Sequence, residues 1–151
     1  MGHHILQWNC RGLKPNYNEI LLMLNKYKPA IFCLQETFLK SIDNISFKNY
    51  SLYNRIFENP ERACGGSSII VDNKFPHRQI DLDVPFQAVA VVVTLHRPIC
   101  ICSIYIPPSY QFNMDELYEL ISQLPAPFLI LGDFNSHNKL WGSTETDNKG
   151  N

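Results

Sequence analysis

A short apolar run near the end of the chain stops abruptly at a polar loop. Residues 128–131 (Phe-Leu-Ile-Leu) lie between Pro127 and Gly132, and Asp133 and Asn135 follow two positions apart. Four consecutive apolar residues bounded by turn formers predict a buried strand, and residues two apart beyond its end can face the same side. In layered α/β folds, ligands bind at the carboxyl ends of strands, where an Asp-x-Asn pair suits a divalent cation and a phosphate oxygen. The simpler alternative is a strand and a turn in which Asp and Asn serve only as turn formers.

Two earlier predicted strands also end on polar side chains. A first strand over residues 5–8 leads into Asn9, and a nearly continuous apolar run over residues 30–35 leads into Glu36. A helical pattern lies between these two strands, so the segment predicts a βαβ unit, in which parallel neighbours have their carboxyl ends on one edge. We therefore expect Asn9 and Glu36 to be neighbours.

Apolar residues at helical spacing predict two helices. The first covers residues 18–27, with Asn16 as its N-cap and Glu19 as the partner in a capping box. The second is opened by Asn113, with Glu116 three positions later. It leads into the strand over residues 128–131.

The middle of the chain reads as a series of short strands separated by turn-rich pieces. A further β run over residues 98–106 carries Tyr105 at its end. We predict that the earlier strands form an antiparallel meander, with strands at residues 50–55, 66–71, 78–82 and 87–95.

Composition limits the class of protein. The chain has 151 residues, 45% of them apolar and 18% charged, which predicts one globular domain over residues 5–151. Residues 1–4 have the character of a cloning remnant. The net charge of −1 leaves no global basic surface, so a nucleic-acid contact must be local, and attraction to a membrane by charge is not expected. The five cysteines are odd in number and lack C-x-x-C spacing, which predicts reduced, packing thiols.

Five polar residues therefore stand where apolar strands give way to loops, and we interpret them as one shared active site. Two carboxylates can hold one Mg²⁺ or Mn²⁺ ion and leave positions open for water and a phosphate oxygen. The amides can orient a water or a phosphate, and a tyrosine hydroxyl can steady developing charge. The five residues are Asn9, Glu36, Tyr105, Asp133 and Asn135.

The sequence around these positions resembles the successive motifs of the endonuclease/exonuclease/phosphatase superfamily. The likeness is strongest to the apurinic-endonuclease-like domain of jockey-type non-LTR retrotransposons. It implies a four-layered α/β sandwich, in which two β-sheets pack face to face with helices outside. It also implies a metal-dependent DNA nick that supplies a 3′-hydroxyl for reverse transcription, in the nucleus. The motifs are QWNCRGL at 7–13, LQET at 34–37, SIYIPP at 103–108, LGDFNSH at 131–137 and WGS at 141–143.

The resemblance also implies a role for each matching residue. Glu36 becomes the principal metal ligand with Asn9 beside it, and Asp133 is assigned to the metal as well. Tyr105 contacts the phosphate, while Asp133 and Asn135 position the nucleophile and the phosphate. Carried over in this way, these residues form the site of a phosphodiesterase.

Two further residues are expected to contact DNA. Arg11 stands where repair-type relatives often carry Asp, so one accessory carboxylate is missing and the loop favours phosphate instead. His137 either contacts DNA or is an ordinary loop histidine. Both are taken as substrate-binding candidates.

The family pattern continues to a Ser-Asp-His ending, which the 151 residues do not contain. We therefore expect a shortened or partial copy with about two-thirds of the family fold. Such a copy would have exposed sheet edges that invite self-association and weak or absent nicking. The alternatives are a non-catalytic module that binds nucleic acid or protein, and a phosphoesterase acting on small phosphates or lipids.

Overall fold

The structure is a computed structural model that describes residues 2–59, 61 and 64–135. It contains two helices and eight strands within those ranges. In chain order they are β1 (Ile5–Asn9), α1 (Tyr17–Tyr27), β2 (Ile31–Gln35), β3 (Tyr50–Arg55), β4 (Ser67–Asp72), β5 (His77–Ile80), β6 (Gln87–Thr94), β7 (Pro98–Tyr105), α2 (Met114–Gln123) and β8 (Phe128–Asp133). In the described part of the chain, neither helix is long and apolar enough to cross a membrane.

The strands form two mixed sheets of four. Sheet A has the order β1-β2-β4-β3, and sheet B has the order β5-β6-β7-β8. β1 and β2 are parallel neighbours joined through α1, which confirms the predicted βαβ unit. β7 and β8 are the second parallel pair, joined through α2, and the remaining pairs are antiparallel.

Alternating side chains build three apolar layers. Ile31 and Cys33 of sheet A pack against Val91 and Ile101 of sheet B between the two sheets. The opposite faces are covered by helices, with Ile20 and Leu24 of α1 on sheet A and Leu120 and Leu124 of α2 on sheet B. The order α1, sheet A, sheet B, α2 confirms the four-layered α/β sandwich.

The two helix starts differ from each other. At α2 the capping box is present: Asn113 Oδ1 accepts from the Glu116 amide at 3.0 Å, and the Glu116 carboxylate accepts from the Asn113 amide at 3.3 Å. At α1 the predicted box is wrong, because the Asn16 side chain makes no cap bond. Its amide donates instead to the carbonyls of Cys10 and Gly12 at 2.7 and 2.9 Å, which closes the loop after β1.

The predicted antiparallel meander is only partly right: β3 pairs with β4 and β5 pairs with β6, but the four strands do not form one series. β4 pairs with both β2 and β3, and the chain then crosses to sheet B before β5. All residues of β2 and β4 are buried, so both strands need a backbone partner on each side. β4 has β2 and β3 as its two neighbours, so it has no free edge for β5.

The run over residues 128–131 is a strand, but it is not buried as predicted. In the part of the chain that the structure describes, β8 lies at an edge of sheet B and pairs with β7. Phe128 and Leu129 expose 36% and 39% of their surface, and Asp133 is the last residue of the strand rather than the first beyond it. A short apolar run does not distinguish an edge strand from a central one.

Four of the five cysteines fill the interior, as the composition indicated. Cys10, Cys33, Cys100 and Cys102 are buried, and all five thiols are free. Burial raises the pKa of the Cys10 thiol to about 11. These side chains act as small apolar packing groups.

Candidate active site

The two parallel strand pairs bring their carboxyl ends to one end of the sandwich. Asn9 closes β1 opposite Gln35, the last residue of β2. On the other sheet Tyr105 closes β7 opposite Asp133, the last residue of β8. Each sheet therefore supplies half of one polar cluster.

The side-chain amide of Asn9 joins the two halves. Asn9 Nδ2 donates to Glu36 Oε1 and to Asp133 Oδ2, both at 2.9 Å. Asn9 of sheet A thus binds two carboxylates. Glu36 directly follows the neighbouring strand β2, and Asp133 belongs to β8 of sheet B. The expected proximity of Asn9 and Glu36 is confirmed, and 124 residues of sequence separate Asn9 from Asp133.

A tight backbone turn presents Glu36. Its φ of 52° lies in the left-handed region, which costs a residue with a β-carbon about 1 kcal/mol. The Gly12 amide donates to the Glu36 carbonyl at 2.7 Å, and the Leu13 amide donates to the Thr37 carbonyl at 2.9 Å. The loop after β1 therefore holds this strained turn in place.

Tyr105 lies against Glu36 from the other sheet. The pKa of Tyr105 is raised to about 12, mainly by burial. Glu36 adds to this through its charge and its hydrogen bond with the hydroxyl, and the charge of Asp133 adds further. The hydroxyl is therefore protonated at neutral pH and donates to the Glu36 carboxylate. This group can donate a hydrogen bond to a phosphate oxygen but cannot act as a base.

Asp133 is fixed through both of its oxygens. The Asn135 backbone amide donates to Asp133 Oδ1 at 2.8 Å, while Asn9 occupies Oδ2. The Asn135 side chain donates one of its two protons to the Ile106 carbonyl at 2.9 Å, and its φ of 44° is left-handed. The Asp-x-Asn pair therefore forms a tight turn that is also part of the polar cluster.

Gly132 allows this turn to approach sheet B closely. A β-carbon at this position would lie 1.9 Å from the Ile104 carbonyl oxygen, far inside van der Waals contact. Only glycine fits here, directly before Asp133.

The structure places Arg11 but does not describe His137. Arg11 is exposed in the loop after β1, two residues beyond Asn9, with a φ of 47°. His137 lies outside the described residues. The other histidines all lie at the opposite end of the sandwich, where His3 packs against His96 and Phe75 and His77 contacts Tyr53.

Sequence reasoning missed a buried polar layer directly beneath the site. It spans both sheets through hydrogen bonds among side chains that are mostly buried. The sequence does contain a sign of this layer. Gln7 and Ser103 each lie two positions before a site residue, and residues two apart in a strand face the same side. The layer consists of Gln7, Gln35, Ser67 and Ser103.

The oxygen atoms present suit a divalent metal ion. In the described part of the chain, Asn9 Oδ1 is buried and lacks a hydrogen-bond partner, although buried polar atoms are nearly always satisfied. It belongs to the same side-chain amide whose nitrogen joins Glu36 and Asp133, so an unpartnered oxygen and two carboxylates belong to one cluster. The described residues contain no group of three or more His, Cys, Asp or Glu side chains able to hold a metal. Two carboxylates and an amide oxygen are donors of the kind that a hydrated divalent ion takes.

Residues 6–151 match the model of the endonuclease/exonuclease/phosphatase family, and the chain belongs to that family. It is 26% identical over 153 residues to the probable RNA-directed DNA polymerase from transposon X-element of Drosophila melanogaster. It is 22% identical over 147 residues to the RNA-directed DNA polymerase from mobile element jockey of the same species. These alignments cover 99% and 95% of the chain but only 17% and 16% of the relatives.

Solved structures share the fold. The endonuclease domain of TRAS1, a telomere-specific non-LTR retrotransposon, matches with a TM-score of 0.73 and 22% identity. That match covers 97% of this chain and 66% of the TRAS1 chain. The 3′ phosphatase NExo from Neisseria, bound to a product DNA hairpin, matches with a TM-score of 0.67 and 15% identity, over 89% of this chain and 58% of the other. The chain therefore shares its fold with these two proteins.

Proposed function

We propose that this domain hydrolyses phosphodiester bonds in DNA with Mg²⁺ or Mn²⁺, and that it nicks target DNA to prime reverse transcription. The observation that carries the proposal is the Asn9 amide, which joins Glu36 and Asp133 from two different sheets. Two carboxylates held close together at the strand ends lower the stability of the fold, and they are the groups that phosphodiester hydrolysis with a metal ion uses. The retrotransposon relatives and the DNA-bound phosphatase support DNA as the substrate.

Each residue has a role in this proposal. Glu36, together with Asp133 or the free oxygen of Asn9, holds the metal ion. A bound divalent ion supplies positive charge that polarises the phosphate and lowers the pKa of its own water. The Tyr105 hydroxyl, which donates a hydrogen bond to Glu36 in the structure, donates it to a phosphate oxygen instead when DNA is bound.

Asp133, whose orientation is fixed by two hydrogen bonds, accepts a hydrogen bond from the attacking water. The second amide proton of Asn135 and the exposed Arg11 guanidinium bind phosphate oxygens. A role for His137 in DNA contact belongs to the same proposal, as does action in the nucleus.

Nicking of supercoiled plasmid tests the proposal. With Mg²⁺ or Mn²⁺ we expect slow conversion to the open circle, which a chelator stops and which Glu36→Gln and Asp133→Asn each abolish. Glu119→Gln is the matched control, because Glu119 is an exposed carboxylate on α2, outside the site. Nicking that persists in both site variants would come from a contaminating nuclease and would refute the proposal.

Isothermal titration tests the metal separately from the rate. We expect modest Mn²⁺ affinity in the parent and a clear loss in Glu36→Gln. Equal binding by the two proteins would remove Glu36 from the metal site.

A non-catalytic DNA-binding module is the second candidate. It is favoured by the position of the four described histidines, all of which lie far from the carboxylates, so none of them can take a proton from water there. Under this alternative, plasmid binds and is never nicked, with or without metal. Nicking by a version extended through a Ser-Asp-His ending, but not by the 151-residue chain, would show that the imidazole is what the site needs.

A further inference from the structure

The layer beneath the site is polar where the rest of the space between the sheets is apolar. Gln35 Nε2 donates to Ser103 Oγ at 3.0 Å, and Ser103 Oγ lies 2.7 Å from Ser67 Oγ. Gln35 Oε1 accepts from Gln7 Nε2 at 2.5 Å. Gln35, Ser67 and Ser103 have no exposed surface. Every member except Gln7 is therefore completely enclosed.

This layer connects the strands that carry the two halves of the site. Gln35 directly precedes Glu36 at the end of β2, and Ser103 lies two positions before Tyr105 on the same face of β7. Ser103 also stands opposite Leu131 of β8, two positions before Asp133. The Gln35–Ser103 hydrogen bond is thus a direct link between the sheets close to both carboxylates.

Stability alone does not account for polar side chains here. Farther from the site, the same faces of β2 and β7 carry Cys33 and Ile101, which pack in the apolar layer. Replacing both partners of a buried hydrogen bond by apolar groups of similar shape is nearly neutral or stabilising. A hydrogen bond differs from an apolar contact in being directional, so it fixes the distance and register between two sheets that could otherwise slide.

We propose that the Gln35–Ser103 hydrogen bond is a positioning device that sets the distance between the Glu36 half and the Tyr105–Asp133 half of the site. Ser67 and Gln7 complete it by holding Ser103 and Gln35 in orientation. The inference rests on the proposed function, because a fixed spacing is needed only if residues of both sheets hold one metal ion. Gln35 and Ser103 are positioning residues and contact neither metal nor substrate.

The test combines two variants with one matched control. Ser103→Ala and Gln35→Met each remove the hydrogen bond with little change in shape. Ile101→Val deletes a methyl group two positions earlier on the same face of β7 and leaves the polar layer intact. Two quantities are measured on the full chain: the Kd for Mn²⁺ by titration calorimetry, and the NMR signals of the Asn9 side-chain amide without metal. Those signals are assigned by their absence in Asn9→Ala.

We expect Ser103→Ala and Gln35→Met each to weaken Mn²⁺ binding about tenfold, the usual effect of removing a group that orients a metal ligand. The double variant should bind no more weakly than Ser103→Ala alone, since Ser103→Ala already removes the bond to Gln35 together with the contact to Ser67. Ser103→Thr, which keeps the hydroxyl, should recover most of the affinity. The Asn9 signals should shift in the two variants and stay unchanged in Ile101→Val.

The inference is overturned if Ser103→Ala and Gln35→Met bind Mn²⁺ like the parent and show parent-like Asn9 signals. Should the parent itself bind no Mn²⁺, the proposed function loses its metal, and the Asn9 signals alone decide whether the layer positions the site. If Ser103→Ala does not fold, Gln35→Met alone answers the question through the same two measurements, since Ser67→Ala would leave the Gln35–Ser103 bond in place.

Discussion

Replacing Asn9 by alanine should destabilise the protein through the two carboxylates that the amide joins. Both hydrogen bonds are 2.9 Å long, and the trigonal geometry of the amide nitrogen places the two acceptor oxygens about 5 Å apart. Two unit charges at that distance repel by about 3 kcal/mol at the effective dielectric constant of a protein surface. In the parent, one donor bound to both oxygens offsets this repulsion.

The magnitude follows from the charge of the acceptors. A hydrogen bond to a charged group is worth about 1.5–3 kcal/mol, and removing the buried, unpaired oxygen of Asn9 returns about 1 kcal/mol. Water can replace part of the loss, because Glu36 and Asp133 are only half-buried. We therefore expect Asn9→Ala to lower the free energy of unfolding by about 2–3 kcal/mol, a decrease in Tm of about 5–10 °C for a chain of this size.

Urea unfolding in the presence of a chelator measures this change, and a double-mutant cycle identifies its origin. In a Glu36→Gln background the acceptor is neutral and the repulsion is gone, so Asn9→Ala should cost about half as much. A cost that is the same in both backgrounds would mean that the amide is not engaged with the charged pair. A cost below about 0.5 kcal/mol, the level of an ordinary surface substitution, would refute the reasoning entirely.

Four other predictions follow from the same geometry. Gly132→Ala should cost about 3 kcal/mol or more in urea unfolding, because the added carbon would meet the Ile104 carbonyl 1.9 Å away; a neutral effect would contradict this close approach. Asn9→Asp should lower the Tm without metal and raise the Tm increment produced by Mn²⁺, because a third carboxylate needs a cation; an unchanged increment would contradict the metal fit. The pKa of Tyr105 is raised to about 12, so the folded state holds this proton more tightly than the unfolded chain does. The stability it contributes is present below about pH 10 and lost as the pH rises towards 12, so the difference in unfolding free energy between the parent and Tyr105→Phe should shrink across that window. Finally, β1 and β8 are edge strands in the described part of the chain, so light scattering at micromolar concentration should detect self-association; a monomer with a cooperative melt would contradict it.

Much of the fold could be predicted because it depends on local patterns. The β3 bounds agree with the predicted residues 50–55, since alternation and turn formers mark both ends. The capping box of α2 is equally local. The division into two sheets was not predictable in this way, because the pairing of β2 with β4 joins segments separated by a helix-free loop and a whole strand. Period-two alternation shows that a strand has two faces but not which sheet it enters.

The site shows the same limit. Asn9 and Glu36 could be placed together because parallel neighbours in a βαβ unit end on one edge. The left-handed turn at Glu36 depends on hydrogen bonds from the loop after β1, and no propensity of glutamate indicates it. The Gln35–Ser103 bond joins residues 68 positions apart, and either residue read alone is an ordinary polar interruption of a strand.

The space between the two sheets is apolar at one end and polar at the other. This difference explains how the fold stays stable although its site brings two carboxylates together. At one end Ile31, Val91 and Val93 are completely buried and pack across the two sheets. At the other end two carboxylates share one amide, and without that amide their charges would repel by about 3 kcal/mol. Apolar burial is non-directional and strong, so it can offset that repulsion but cannot set a distance between oxygens. The polar layer between the two ends can set it. Changes to the apolar end should therefore alter stability with little effect on metal affinity, whereas changes to the layer should lower both, since a buried polar group left without its partner costs about 1–3 kcal/mol.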